Sequence, residues 1–182
     1  MKKILLLAVM AVMIGNIFAQ EPLNFEKVIT IDSIKKDVIY AGLQQWIASY
    51  YIGIKTTTQT SDKDAGYIIK DGLITFKKEG FMMCYGGYVH YKLKFQLKNG
   101  RFKVQISDFL HETTNKKCAF DACMGLITNA SENPIGGGIS KSYHDKIWKE
   151  LQKLCEDYSN KIFESVQKIK FNEFDNSKSD NW

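Results

Sequence analysis

The clearest pattern in the chain is a strict alternation of apolar and polar residues between positions 88 and 106. Apolar residues occupy every second position of two runs: Val89, Tyr91, Leu93, Phe95 and Leu97, then Phe102, Val104 and Ile106. Asn99-Gly100 separates the two runs, and this dipeptide favours a tight turn. The alternation therefore predicts an antiparallel hairpin with one buried face and one polar face.

Two other segments carry apolar residues at helical spacing, and each predicts a helix with one apolar stripe. The first runs from Ile34 to Tyr51, after two residues of N-cap type, Asp32 and Ser33. The second runs from Ser142 to about Lys168. The stripes are Ile39, Leu43, Trp46, Ile47 and Tyr50 in the first, and Ile147, Leu151, Leu154, Tyr158 and Ile162, widened by Trp148, Cys155 and Phe163, in the second.

The remaining elements are shorter strands. Phe25 to Ile31 and the threonine-rich Ile54 to Thr60 favour strands by composition. Gly66 to Lys70 and Leu73 to Lys78 form either a hairpin through Asp71-Gly72 or one strand with a bulge at Gly72. The predicted order is β-α-β-β-β-β-α, which indicates a two-layer α+β domain with a sheet of about five antiparallel strands and two helices on one face.

The first nineteen residues have the features of a secretory signal peptide. Lys2 and Lys3 precede an apolar run from Ile4 to Ile14, and Ala19 stands at the expected cleavage position. The run is too short to span a bilayer. We therefore expect a periplasmic or secreted protein without a membrane span after cleavage.

The other boundaries follow from composition. Residues 20–170 form one predicted α+β domain, which includes a long loop or insertion at 112–138, and residues 171–182 form a polar tail. Net charge is +5 for the full chain. Without Lys2 and Lys3, 23 basic residues face 20 acidic ones, which leaves +3 and gives little support to a nucleic-acid partner.

Several stretches resemble one known family. They are Phe25-Glu-Lys-Val-Ile-Thr-Ile-Asp-Ser33, Gln45-Trp46-Ile47, Ser61-Asp-Lys-Asp-Ala-Gly-Tyr-Ile-Ile69 and Lys98-Asn-Gly-Arg-Phe-Lys-Val104. Together they are similar to a domain-of-unknown-function family with a TBP-like fold, found in exported proteins of Bacteroides-type bacteria. The resemblance covers roughly residues 23–108 and implies a curved antiparallel sheet with helices on one face. It implies no activity, because a shared fold does not define a function.

The four cysteines allow disulfides in an oxidising compartment. Cys118 and Cys123 are close enough in sequence to form a local bridge, whereas Cys84 and Cys155 also fit as small buried residues. His111, Cys118, Cys123 and His144 are residue types that bind zinc. Their spacing lacks the paired C-x2-C pattern of structural zinc sites, so we predict no metal and no cofactor.

Two surfaces remain as candidates for binding. The polar face of the hairpin carries a basic stripe, namely His90, Lys92, Lys94, Arg101 and Lys103. Such a stripe suits an anionic partner or serves solubility. The apolar segment around Met82, Met83 and Tyr85, with Trp148 on the second helix, either lines a ligand groove or packs as core.

These features favour a non-enzymatic binding or interaction module of the bacterial envelope. Its partner would be an apolar small molecule or another envelope protein, and no nucleic acid is expected. The alternative is a small hydrolase with a Cys/His site in the 112–144 region, which would need a histidine beside a thiol and a third orienting group. No catalytic motif supports that alternative.

Overall fold

The computed structural model describes residues 20–52, 59–78, 84–114, 122–134 and 141–174. These residues form six strands, two α-helices and a terminal 3₁₀ turn. The strands are β1 (Phe25–Thr30), β2 (Gln59–Asp62), β3 (Tyr67–Phe76), β4 (Gly87–Lys98), β5 (Arg101–Thr113) and β6 (Gly125–Leu126); the helices are α1 (Lys36–Tyr50) and α2 (Lys141–Gln167); the turn is Phe171–Phe174.

The strands form a single curved, open antiparallel sheet in the order β1-β5-β4-β3-β2, and β6 pairs with β5 beside β1. Both helices pack on one face, which confirms the predicted two-layer α+β fold. The β4–β5 hairpin is at the centre of the sheet, with Lys98 opposite Arg101 across the Asn99-Gly100 turn. β6 is an additional short strand within the segment predicted as a long loop.

The alternative of a hairpin at Asp71-Gly72 is wrong. β3 is one continuous strand, and its register with β4 runs without a shift from Tyr67 to Phe76. Because the register is regular, β3 has no bulge at Gly72 either. Long pairing with β4 overrides the local turn preference of an Asp-Gly dipeptide.

The irregularity of the sheet lies in β5 instead. His90 pairs with Leu110 but Lys92 pairs with Ser107, so β5 contains one extra residue at this point. Asp108 has a left-handed φ of 58° there, a conformation that aspartate tolerates in bulges. The extra residue shifts the alternation, so that Phe109 and His111 face the helices and Leu110 faces solvent.

The helices begin and end close to the predicted positions. α1 starts at Lys36, with Lys35 as its N-cap residue and no side-chain cap, so Asp32 and Ser33 do not cap it. The apolar stripes of both helices contribute to the core. The predicted tail begins too early, because Phe171 is buried against α1 beside Gly42.

Candidate functional site

The helix-covered face of the sheet is filled by large side chains. Trp148, Phe95, Phe102 and Phe109 are fully buried there. The indole N–H of Trp148 donates to the carbonyl of Ala130 at 2.9 Å. Trp148 therefore packs as core and holds the segment before α2, whereas Met82 and Met83 lie outside the described residues.

A buried polar cluster interrupts this core near the C-terminus of α1. The Tyr91 hydroxyl lies 2.8 Å from that of Tyr51 and 3.0 Å from that of Tyr158. Burial raises the pKa of Tyr91 and of Tyr51 well above the usual value. The hydroxyls of Tyr91 and Tyr51 therefore stay protonated, and the three hydroxyls satisfy one another as hydrogen-bond donors and acceptors.

The Tyr91 ring lies directly over Gly72 on the neighbouring strand. A Cβ at Gly72 would be 2.1 Å from the ring atom Cζ of Tyr91. The glycine that suggested a turn in the sequence is therefore required for close side-chain packing in the sheet.

Two histidines of the hypothetical Cys/His site, His111 and His144, lie among the described residues. His111 is fully buried; its Nε2 lies 3.0 Å from the Tyr85 carbonyl oxygen, and its Nδ1 accepts a hydrogen bond from the Met124 N–H at 3.1 Å. These two contacts define a neutral ring with the proton on Nε2. The second histidine, His144, has the hydroxyl of Tyr85 beside it, at 3.3 Å from its Nε2.

The cysteines agree with the predictions only in part, since Cys155 is a small buried residue as expected. Cys84 is disulfide-bonded, whereas Cys123 and Cys155 are free thiols. The predicted bridge between Cys118 and Cys123 is therefore not formed, and the partner of Cys84 lies outside the described residues. Cys123 Sγ accepts a hydrogen bond from the Thr113 N–H at 3.4 Å. Burial raises the pKa of Cys155 to about 12, so its thiol is unreactive.

Within the described ranges, no three His, Cys, Asp or Glu side chains converge as metal ligands. In the same residues, neither helix combines the length and hydrophobicity that a bilayer crossing requires.

We predict that His111 makes the stability of the fold dependent on pH. Burial lowers its pKa, and the Tyr85 carbonyl and Glu112 offset this only in part. The unfolded chain therefore takes up a proton at about pH 6.5, before the folded state does, so stability is complete above that pH and falls as the pH decreases below it. Urea unfolding between about pH 7.5 and about pH 5.5 measures this slope.

The matched variants are His111→Gln and His90→Gln, because His90 lies on the surface of the same sheet. We expect the first substitution to reduce the pH slope and the second to preserve most of it. An unchanged slope in His111→Gln would contradict the assignment.

The opposite side of the sheet is not covered by any described element. We call this the open face and define it as the solvent-facing side chains of β1, β3, β4, β5 and β6. Its exposed apolar residues are Val28, 58% exposed, Leu126, 43%, Tyr88, 38%, and Leu110, 37%. Leu110 and Leu126 are cross-strand partners, so they form one continuous apolar patch.

The predicted basic stripe lies on this open face, but carboxylates are interleaved with it. Lys103 pairs with Glu26 at 3.3 Å, Lys92 with Asp108 at 3.5 Å, and His90 contacts Glu112 at 3.4 Å. The face therefore has a mixed charge distribution, with its cations concentrated near the β4–β5 turn.

The exposure of Leu110, Leu126 and Val28 was not predicted from the sequence. A break in alternation between Ile106 and Phe109 was the available signal for Leu110. Val28 and Leu126 gave no signal, because their exposure depends on strand pairings that are distant in sequence.

Comparisons with known proteins confirm the resemblance found in the sequence. Residues 25–112 match a family described as a domain of unknown function, DUF4468, with TBP-like fold. No curated protein matches the chain.

Two solved structures have the same fold. A TBP-like protein from Parabacteroides distasonis aligns with 82% of this chain and 95% of its own, at 13% identity and a TM-score of 0.55. A DUF4468 family protein from Bacteroides ovatus aligns with 80% of this chain and 86% of its own, at 16% identity and a TM-score of 0.52.

Proposed function

From a TBP-like fold whose sheet is covered by helices on one side only, we propose that this protein is an exported, non-enzymatic interaction module. It binds a protein partner through the open face. The observation that carries this proposal is the group of exposed apolar side chains on that face, Leu110 and Leu126 above all. Contiguous exposed apolar residues rimmed by charges are typical of interaction surfaces.

A protein partner fits the open face better than an apolar small molecule does. The space between sheet and helices is occupied by buried aromatic rings, including Trp148. The grooves near Val28 and Leu110, about 330 and 320 Å³, are both on the surface. A small apolar ligand is usually enclosed on most sides, whereas an open, partly apolar sheet face suits a large partner.

A non-enzymatic role is supported by the internal contacts and burial of the candidate catalytic groups. Both ring nitrogens of His111 contact backbone groups, and the Cys155 thiol is buried with a raised pKa. A general base needs a nitrogen available to a substrate or nucleophile. These residues stabilise the domain instead.

Photo-crosslinking tests the interaction role. The crosslinking amino acid p-benzoylphenylalanine replaces Leu110 in one variant and Lys149, an exposed position on α2, in a control, and both are produced in Bacteroides ovatus. We expect a discrete crosslinked protein product from the Leu110 position only. Identical products from both positions, or none from Leu110, would refute the proposal.

Export is tested separately by the intact mass of the protein in the envelope and culture fractions. We expect a chain that begins at Gln20, and we expect Leu6→Arg, in the apolar run of the signal, to keep the full-length chain in the cytoplasm. A full-length, cytoplasmic wild-type protein would exclude the envelope role.

A further inference from the structure

We propose that the partner of the open face is a second copy of this chain, stacked face to face about a twofold axis that crosses the strands at right angles. This inference rests on the proposed interaction role of the open face. It comes from the strand register, which gives the two ends of that face complementary side chains.

The register divides the open face into six successive rows of cross-strand neighbours. From the β4–β5 turn downwards, they are Lys98, Arg101 and Thr30; Tyr67, Gln96, Lys103 and Val28; Ile69, Lys94, Gln105 and Glu26; Asp71, Lys92 and Ser107; Leu73, His90, Leu110 and Leu126; Thr75, Tyr88 and Glu112. A twofold axis between the third and fourth rows places the first row of one copy over the sixth row of the other, and the second row over the fifth. Each strand position then lies over the same strand position of the second copy.

Val28 and Leu126 match under this operation, whereas Leu110 comes over Lys103 of the second copy. β1 and β6 flank the same side of β5, at its two ends. The axis therefore brings Val28 of one copy over Leu126 of the other, and the contact occurs twice because the interface is isologous. These are the two most exposed apolar side chains of the open face.

The charges match as well. Lys98 and Arg101 are directly opposite each other in the first row, where two like charges destabilise the pair. The sixth row of the second copy brings Glu112 over Arg101 and the Tyr88 ring over Lys98. An opposite charge and an aromatic face are both favourable partners for these cations.

The centre of the interface has mixed contacts. The axis keeps β4 over β4, so Lys94 of the third row lies over Lys92 of the second copy, which is a like-charge contact. Asp71 and Asp108 both lie beside that Lys92, and their two carboxylates offset the repulsion. The charges thus favour the antiparallel stacking over a parallel one, which would bring the first row, with Lys98 and Arg101, over the first row of the second copy.

The available area is sufficient for a stable dimer. Six rows span about 34 Å along the strands and four strands span about 19 Å across them. This gives about 650 Å² per copy and about 1,300 Å² in total, which is within the range of specific protein interfaces. Sheets that pack face to face in this way are separated by about 10 Å.

Cysteine trapping tests the axis directly. Val28→Cys and Leu126→Cys are made in separate chains of residues 20–182, each with Cys123→Ser to remove the half-buried free thiol. Because sheets about 10 Å apart are too distant for a direct disulfide, a short bismaleimide crosslinker is added, and we expect it to join the mixed chains as a covalent dimer. Each chain alone should stay monomeric in denaturing gels, because identical positions are about 20 Å apart across the axis. Lys161→Cys, exposed on α2, replaces Leu126→Cys in the control mixture and should give no dimer.

Charge reversal gives an independent test by sedimentation. Arg101→Glu and Glu112→Arg should each raise the dimer dissociation constant by about tenfold or more, and the double variant should recover most of the affinity. A monomeric wild type, or a double variant no better than either single one, would overturn the proposal. If trapping fails while Leu110 crosslinks to a different protein, the second copy is excluded and the interaction role remains; if both fail, both are wrong.

Discussion

Gly72→Ala is expected to destabilise the domain by about 2–4 kcal/mol, more than a typical substitution in a strand. The added methyl group would lie 2.1 Å from Cζ and 2.3 Å from the hydroxyl oxygen of Tyr91. That ring cannot swing away freely, since it is buried and hydrogen-bonded to Tyr51 and Tyr158. Displacing it both opens the core and leaves buried hydroxyls with fewer partners.

Urea unfolding of a double-mutant cycle separates the clash from a general effect on strand β3. Tyr91→Leu removes the distal ring atoms, so Gly72→Ala should cost much less in that background than in the wild type. Tyr91→Phe is the matched control, because it keeps the ring and removes only the hydroxyl. Equal costs of Gly72→Ala in the wild type and in Tyr91→Leu would show that the ring is not the cause.

Gly72 also shows the limit of local sequence reasoning. Asp71-Gly72 has the composition of a hairpin turn, and nothing within ten residues indicates otherwise. The choice between a turn and a continuous strand depends on β4, which pairs with all ten residues of β3. Because long-range pairing determines whether Asp71-Gly72 is a turn or part of a strand, the local sequence pattern cannot predict it.

The elements with strong periodicity were predictable because each pattern has one physical interpretation. The alternation in β4 requires one buried and one solvated face, and Asn99-Gly100 allows a tight return. The stripes of α1 and α2 then require an apolar surface to cover, which only the dry face of the sheet provides. The layer arrangement therefore follows from the sequence, although the order of the strands does not.

The candidate site was less predictable, because it depends on the bulge in β5. Continuing the alternation of Phe102, Val104 and Ile106 would place Leu110 inside and His111 outside. The extra residue at Asp108 reverses both positions. The basic stripe was found by simple alternation, whereas Glu26 and Asp108, which pair with two of its lysines, come from another strand and from the bulge.

Trp148→Ala is expected to cost about 3–5 kcal/mol of unfolding free energy, the range for deletion of a fully buried aromatic ring. The ring has no exposed surface, and its N–H donates to the Ala130 carbonyl. The substitution therefore removes core contacts and releases the segment that precedes α2. Lys149→Ala, at the exposed neighbouring position of the same helix, should change the free energy by less than about 0.5 kcal/mol.

Trp148→Phe distinguishes the ring from its hydrogen bond. Phenylalanine keeps most of the apolar volume and removes the N–H donor, while the Ala130 carbonyl still accepts a hydrogen bond from Gln152 at 2.8 Å. Since that carbonyl is not left unsatisfied, we expect a loss of only about 1–2 kcal/mol. A ligand-binding tryptophan would behave differently, because its truncation would leave stability nearly unchanged. A Trp148→Ala protein as stable as the wild type in urea would therefore remove Trp148 from the core and restore it as a candidate ligand contact.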